Sequence, residues 1–198
     1  MKKKTRTIIL IISIFAILLI GGIYAFTVSS IETINISKIG TIGIDLKTYT
    51  LNDDNKEEEM KGNSNMITEN ILKYIPKISK SKNSGDCYIR VKVILKYGNI
   101  EKVVNNDAIV NLNENFVYSA DEYFYYKNIL DDKGIKVFDG IKLENDVFSS
   151  DDLSIKVKTD AIQAKNVNVD FSNLTESGPW LDISNEDIKE NVASTILN

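Results

Sequence analysis

Apolar and polar residues alternate along much of the chain beyond residue 40, a pattern typical of half-buried β-strands. The clearest run is residues 87–93, CYIRVKV, in which positions 87, 89, 91 and 93 form one apolar face. Residues 42–46, 153–159 and 166–171 alternate in the same way, and aromatic or β-branched content predicts further strands at 118–126 and 135–138. The side chains predicted to point into the core are Ile89, Val91, Val93, Ile155 and Val157.

Polar segments separate these predicted strands. Residues 52–65 indicate an exposed loop, 83–86 a turn, and 133–134 and 139–140 turns of the hairpin type. Residues 149–152 predict a turn or a one-turn helix. Residues 67–74 fit either a short helix or a strand that leads into Pro76.

Helical spacing is clear only near the C-terminus. Ile188, Val192 and Ile196 recur every four residues, and Ser184 with Asp187 resembles a capping box, so we predict a C-terminal helix. Many short strands with few helices predict an all-β fold. We expect a single antiparallel β-sandwich with short peripheral helices over residues 40–198, following an N-terminal signal helix.

Residues 1–25 have the three-part pattern of a secretory signal peptide. Four basic residues lie within the first six positions, an apolar core follows at residues 8–20, and a Gly pair then leads to the small residue Ala25. We expect cleavage after Ala25, so that the mature chain begins at Phe26. The alternative is an uncleaved anchor, because the apolar stretch 8–26 is just long enough to span a bilayer. The uncleaved segment is the expected link to a membrane.

Cleavage would place residues 26–39 at the front of the mature chain. This segment is rich in Ile, Val, Thr and Ser, which prefer a pleated and half-buried setting. We predict an assembly strand that adds to a sheet edge of another copy of the chain. Its apolar residues are Phe26, Val28, Ile31, Ile34 and Ile36. The alternative is that the segment folds back onto its own domain as an edge strand or stays flexible.

Composition excludes several classes of function. The chain has 24 basic and 28 acidic residues, and removal of the four basic residues of the leader leaves 20 against 28, a net charge of −8. Nucleic-acid binding is not expected, because contact with phosphates requires a basic surface. With no histidine in the sequence, Ser-His-Asp and Cys-His machinery is excluded. Cys87 has no partner for an internal disulfide, and its alternating run predicts a buried thiol.

Three groups of residues are candidates for chemistry. The acidic residues Asp53, Asp54 and Glu57 to Glu59 suggest calcium, but their spacing does not match an EF-hand loop, and a solvated loop is the preferred interpretation. The run Tyr123 to Tyr126 suggests a platform for sugars, but alternation in a strand predicts two side chains in the core and two on the surface. Carboxylate pairs at 131–132 and 151–152 lie in predicted turns, not across a cleft. We therefore expect no catalytic, cofactor or metal site, and no enzyme activity.

Several segments, in order, resemble proteins of the TasA/camelysin type. They are GGIYAFT at residues 21–27, GTIGIDL at 40–46, IPKISKSKNSGDCYIRVKV at 75–93, DEYFYYKNIL at 121–130, VFDGIKL at 137–143 and TDAIQAKNV at 159–167. Together they extend over most of the chain and are most similar to the BsaA-like branch of exported biofilm matrix proteins.

The resemblance implies a jelly-roll β-sandwich, export, cleavage by a signal peptidase of the SipW type, and assembly of copies into extracellular fibres. The expected location is the extracellular matrix or the cell surface. A protease activity is not carried over from camelysin-like proteins, because the chain has no histidine and no metal motif. The alternative function is a monomeric cell-surface binding module for a glycan or a protein ligand.

Overall fold

The computed structural model describes residues 42–197 except 53, 55, 61–66, 145–152 and 166. The described residues belong to one compact unit, Thr41–Asn198. The predicted signal peptide, its cleavage site and the assembly segment lie outside the described residues, as does the turn or helix predicted at 149–152. The described part of the chain is therefore the predicted domain.

Within the described ranges the chain forms sixteen β-strands and two short 3-10 helical turns. The strands are β1 Ile44–Leu51, β2 Glu57–Glu59, β3 Ile67–Thr68, β4 Ile71–Leu72, β5 Ile75–Lys80, β6 Cys87–Tyr97, β7 Ile100–Val103, β8 Ile109–Val110, β9 Phe116–Tyr118, β10 Phe124–Tyr126, β11 Ile135–Lys136, β12 Gly140–Lys142, β13 Leu153–Gln163, β14 Asn168–Val169, β15 Trp180–Leu181 and β16 Lys189–Leu197. The helical turns are Asn106–Ala108 and Asn185–Asp187. The prediction of an antiparallel all-β fold is confirmed.

Two eleven-residue strands, β6 and β13, form the centre of the fold. They pair antiparallel over ten positions, from Ser154 opposite Lys96 to Gln163 opposite Cys87. The sheet that contains them, called the long sheet below, has the order β16-β13-β6-β10-β9, and β7 also pairs with β6. Apolar and polar residues alternate along β6 and much of β13 because one face of each strand packs in the main core and the other face does not.

The other described sheets are shorter, and every pairing within them is antiparallel. The sheet called the β1 sheet below has the order β11-β5-β1-β2, another has the order β3-β4-β12-β8, and β14 pairs with β15. The main hydrophobic cluster joins residues of the long sheet to Ile78 of the β1 sheet and to Ile141 of the sheet with the order β3-β4-β12-β8. One core therefore holds the three larger sheets together.

The predicted core positions are confirmed. Ile89, Val91, Val93, Ile155 and Val157 are all fully buried. Cys87 is also buried, and burial raises the pKa of its thiol to about 11. At neutral pH the thiol is protonated, so the interpretation of Cys87 as a small core residue agrees with the structure.

Replacing Ile155 with alanine tests this core. A buried isoleucine cut to alanine loses both its transfer free energy and its packing, which costs about 2–5 kcal/mol of unfolding free energy. The neighbouring Lys156 is exposed on the opposite face of the same strand, so Lys156→Ala is the matched control. Thermal unfolding should show a clear fall in melting temperature for Ile155→Ala alone. Equal small shifts in both variants would mean that the register is wrong.

The predicted C-terminal helix is wrong. Residues 189–197 form β16, which pairs with β13 over nine positions, and Asn185–Asp187 is a single 3-10 turn. The capping-box pair is hydrogen-bonded, Ser184 Oγ donating to Asp187 Oδ2 at 2.6 Å, but no longer helix follows. Val, Thr and Ile favour strands, and pairing with an eleven-residue neighbour outweighs a weak apolar spacing of four.

The single strand predicted at residues 118–126 is wrong. The end of β9, a turn and β10 occupy this range and form a hairpin. Phe124 lies opposite Tyr118, and Glu122 adopts a left-handed conformation in the turn, with φ of 68°. The prediction took the aromatic content of this range as a sign of one strand. Tyr123 is buried like its neighbours, but it belongs to the turn and not to a strand.

Other predicted elements differ in their bounds. The predicted loop 52–65 contains β2, which pairs with β1, and the strand predicted at 166–171 shortens to β14. Residues 67–74 form neither alternative but the hairpin β3–β4, where Glu69 and Asn70 both have positive φ, as a two-residue hairpin turn requires. The turn predicted at 83–86 is present, with Asn83 at φ 66°.

Candidate functional site

Strand addition needs an acceptor, and an acceptor is a sheet edge with unpaired backbone N–H and C=O groups. Most described edge strands are short. β7 has four residues, β2 and β9 have three each, and β3, β8, β11, β14 and β15 have two each. β16, Lys189–Leu197, has nine residues and forms one edge of the long sheet. It is the longest sheet edge in the part of the chain that the structure describes.

One side of β16 is fixed by β13. The register runs from Leu153 opposite Leu197 to Ala161 opposite Lys189. No described strand pairs with the other side of β16. Because only one side of a strand's hydrogen-bonding groups is used by a single neighbour, this edge offers a row of donors and acceptors to a further strand.

The side chains of β16 leave that edge open. Charges occur at its beginning, Lys189 and Glu190, while residues 191–197 carry none and include no proline. Val192 is 39% exposed, and Asn191 and Ala193 on the alternate face are partly buried. Edge strands are normally blunted by charge, proline or very short length, and the central part of β16 has none of these.

β16 also lies beside the beginning of β1. Asn191 Nδ2 donates a hydrogen bond of 2.9 Å to the carbonyl oxygen of Ile44. Burial raises the pKa of Tyr74 to about 12, and the side chains of Thr195 on β16 and Thr48 on β1 partly offset this rise. The described chain therefore begins next to β16.

A buried charge cluster lies on the face of the long sheet opposite the main core. We call Arg90, Asp121, Tyr125, Asp160 and Trp180 the Arg90 cluster. Arg90 Nε donates to Asp160 Oδ2 at 2.9 Å, and Arg90 Nη1 donates to Tyr125 Oη at 3.1 Å. Tyr125 Oη in turn donates to Asp121 Oδ2 at 2.6 Å. The Asp160 side chain is fully buried, so its charge depends on Arg90 for compensation.

Aromatic rings enclose the guanidinium of this cluster. Its carbon lies 4.0 Å from the centre of the Tyr123 ring and 4.7 Å from that of Trp180. Burial, and next the bond to Asp121, raise the pKa of Tyr125 above its ordinary range, so the phenol stays protonated and donates. Asp121 Oδ1, Asp160 Oδ1 and Trp180 Nε1 have no hydrogen-bond partner among the described residues, although Lys158 Nζ lies 3.7 Å from Asp160 Oδ1.

The Arg90 cluster connects distant parts of the chain. β6 supplies Arg90, β10 supplies Tyr125, β13 supplies Asp160 and β15 supplies Trp180. Ser119 Oγ donates to the carbonyl oxygen of Thr175 at 3.0 Å, which ties the β9–β10 turn to the segment before β15. The sequence prediction missed this cluster, because outward positions of alternating strands were interpreted as solvent-facing. An Asp within the otherwise apolar end of β13, at position 160, was the available signal.

The aromatic run is not a platform for sugars. Tyr123, Phe124 and Tyr125 are buried and Tyr126 is partly buried, so the prediction of two surface rings is wrong. Alternation itself is confirmed, since Phe124 and Tyr126 pack in the main core while Tyr123 and Tyr125 pack in the second cluster. The C-terminal segment around Trp180 covers the face that the sequence prediction left open.

Most of the acidic residues considered for calcium form ion pairs where they are described. Glu57 pairs with Lys77 and Lys136, and Glu59 lies 3.8 Å from Lys47, while Asp53 lies outside the described residues. Asp131 caps a turn, with Oδ1 accepting from the backbone N–H groups of residues 133 and 134. Across the described ranges, no group of three or more His, Cys, Asp or Glu side chains could hold a metal ion.

The predicted processing residues, Ala25 and Phe26, and the assembly residues Val28, Ile31, Ile34 and Ile36 all lie outside the described residues. The structure therefore bears on the acceptor of the predicted assembly and not on its donor. Among the residues described, no helix is long and apolar enough to cross a membrane.

The described residues define an antiparallel all-β protein with a long edge strand, β16, that pairs with a described strand on one side only. Comparisons with protein-family models, with curated proteins and with solved structures find no match for this chain.

Proposed function

We propose that this chain is an exported structural subunit that assembles into extracellular fibres of a biofilm matrix by strand addition. Residues 26–37 of one copy, freed by cleavage after Ala25 by a signal peptidase of the SipW type, add to the edge of β16 in the next copy. The observation that supports this proposal is the nine-residue strand β16, paired on one side with β13 and on the other with no described strand.

The proposed fold is a jelly-roll β-sandwich. It is supported by a shared hydrophobic cluster that joins residues of the β1 sheet and the long sheet, such as Ile78 and Ile89, between antiparallel strands. Two packed antiparallel sheets leave edges unless they close, and the long sheet ends in β16. A donor from one copy to an acceptor on the next is a head-to-tail contact, which propagates into a filament instead of closing.

A charge on the acceptor edge tests the proposal. Val192 and Ile100 are both exposed apolar residues on edge strands, β16 and β7, so Val192→Lys and Ile100→Lys introduce the same charge on two different edges. Val192 lies opposite Lys158, so the melting temperature of both variants is measured as well. Lysine is one of the residues that blunt edges against pairing. We expect Val192→Lys to slow fibre growth at least about tenfold. A tenfold change corresponds to a loss of about 1.4 kcal/mol of binding free energy at each contact between copies. Ile100→Lys should grow fibres normally, and light scattering with negative-stain microscopy measures both.

The donor is tested by truncation. A chain that starts at Gly40 should fold to a monomer and fail to form fibres, and it should bind a synthetic peptide of residues 26–37. Normal fibres from the truncated chain, or equal growth of the two lysine variants, would rule out strand addition at β16. A truncated chain that is monomeric but does not bind the peptide would favour the alternative in which the segment folds onto its own domain.

A further inference from the structure

A groove on the β1 sheet has a chemistry unlike that of the β16 edge. It is a concavity of about 280 Å³ formed over strands β1, β5 and β11 and the turn before β11. Its polar lining consists of Lys47, Tyr49, Lys77, Ser79, Lys133 and Lys136. Four lysines thus line one concave surface of a chain whose net charge is −4.

Three of these lysines form a row across adjacent strands. Lys47 lies directly opposite Lys77, and Lys77 lies directly opposite Lys136. Like charges directly opposite each other in a sheet are destabilising. The arrangement therefore opposes stability unless anions compensate it.

The protein supplies part of that compensation from the rim. Glu57 and Glu59 on β2 and Asp139 pair with lysines of the row. The Lys47–Glu59 pair is more than half exposed on both sides, and exposed pairs contribute little and exchange readily with other anions. Lys133 Nζ has no carboxylate within 4.0 Å among the described residues, so the groove has four ammonium groups against three carboxylates.

One wall of the groove is held rigidly. Asp131 Oδ1 accepts from the backbone N–H groups of Lys133 at 3.0 Å and Gly134 at 3.1 Å, which fixes the turn. Gly134 has φ of 74° and packs so closely on β5 that a Cβ there would lie 2.7 Å from the carbonyl oxygen of Ile78. This fixed turn positions the backbone of Lys133 at the wall, so that the concavity exists before any ligand arrives.

We propose that this groove binds an anionic polysaccharide whose sugar units carry carboxylates. The lysines match the carboxylates, and the hydroxyls of Ser79 and Tyr49 match the sugar hydroxyls. The volume of about 280 Å³ is close to the lower end of small-ligand sites, about 300 Å³. A groove open to solvent lets a polymer pass through it. This binding does not depend on strand addition at β16, since the groove lies on the β1 sheet.

The test is equilibrium binding of the purified protein to polygalacturonate, with dextran as the neutral polymer. We expect saturable binding to polygalacturonate that weakens as salt screens the charges, and none to dextran. The triple variant Lys47→Gln, Lys133→Gln, Lys136→Gln should bind about tenfold more weakly. Its matched control, Lys82→Gln, Lys127→Gln, Lys165→Gln, changes three exposed lysines outside the groove and outside β16 and should bind as the unaltered protein does.

A second variant guards against loss of folding. Lys133→Gln alone removes a lysine without a described ion pair and should weaken binding about twofold to threefold while the melting temperature is unchanged. Equal losses in the two triple variants would overturn the proposal, because attraction would then follow net charge and not the groove. Binding of polyphosphate or polyglutamate as tight as that of polygalacturonate would also overturn it, because the site would then recognise charge without the sugar.

Discussion

Replacement of Arg90 by methionine is expected to destabilise the domain by about 3–5 kcal/mol, because it removes the hydrogen-bonded ionic partner of the fully buried carboxylate of Asp160 and leaves only the more distant Lys158, at 3.7 Å. Methionine preserves much of the arginine volume between the rings of Tyr123 and Trp180, so the loss reports on charge more than on packing. Chemical denaturation of the purified protein measures the change in unfolding free energy.

The control for this prediction lies on the same face of the same strand. Lys96 is exposed on β6, and Lys96→Met should change the unfolding free energy by no more than about 0.5 kcal/mol. Removing both charges, as Arg90→Met with Asp160→Leu, should cost less than Arg90→Met alone, because the fully buried carboxylate is then removed together with its hydrogen-bonded partner. If the double variant is instead less stable than the single one, the rings and not the ion pair hold this region together.

The second large effect is expected from Gly178→Ala. Gly178 has φ of 68°, a left-handed conformation that costs alanine energy. A Cβ built there would also lie well inside contact distance of Tyr125 Oη and 2.8 Å from Asp121 Oδ2, which are themselves hydrogen-bonded to each other. Strain and crowding together should cost about 2–4 kcal/mol and loosen the segment before β15.

Gly98 separates the two contributions. It also has a positive φ, 56°, but a Cβ at this position meets nothing within 4 Å. Gly98→Ala should therefore show the conformational cost alone, about 1 kcal/mol. Thermal unfolding of both variants measures the difference, and indistinguishable melting temperatures would show that the Arg90 cluster yields to the added methyl group at no cost.

The predictions at β16 and in the groove depend on surfaces that sequence reasoning did not identify. An assembly strand near the front of the chain was predicted from its composition, but its acceptor was not, since the residues of β16 were assigned to a helix. Likewise, Lys47, Lys77 and Lys136 lie far apart along the chain. They become a row only when β1, β5 and β11 pair in their observed register.

Sequence alone determined the parts of the fold that depend on local alternation. The odd-numbered residues of 87–95 in β6 and of 153–161 in β13, such as Ile89 and Ile155, are buried because this arrangement hides the apolar face of each strand. Turn residues likewise marked the break between the end of β5 and the beginning of β6, as at Asn83.

The tertiary structure decided what covers the second face and which edges stay open. Arg90 lies opposite the apolar face of its predicted strand, yet the C-terminal segment around Trp180 packs over it. Asp160, its register partner in the sheet, lies seventy residues away along the chain. Val192 read as part of a helix face, yet pairing with β13 makes its segment the open edge of the long sheet. Local pattern specifies which face of an element is apolar, but contacts between distant segments fix what that face and that edge meet.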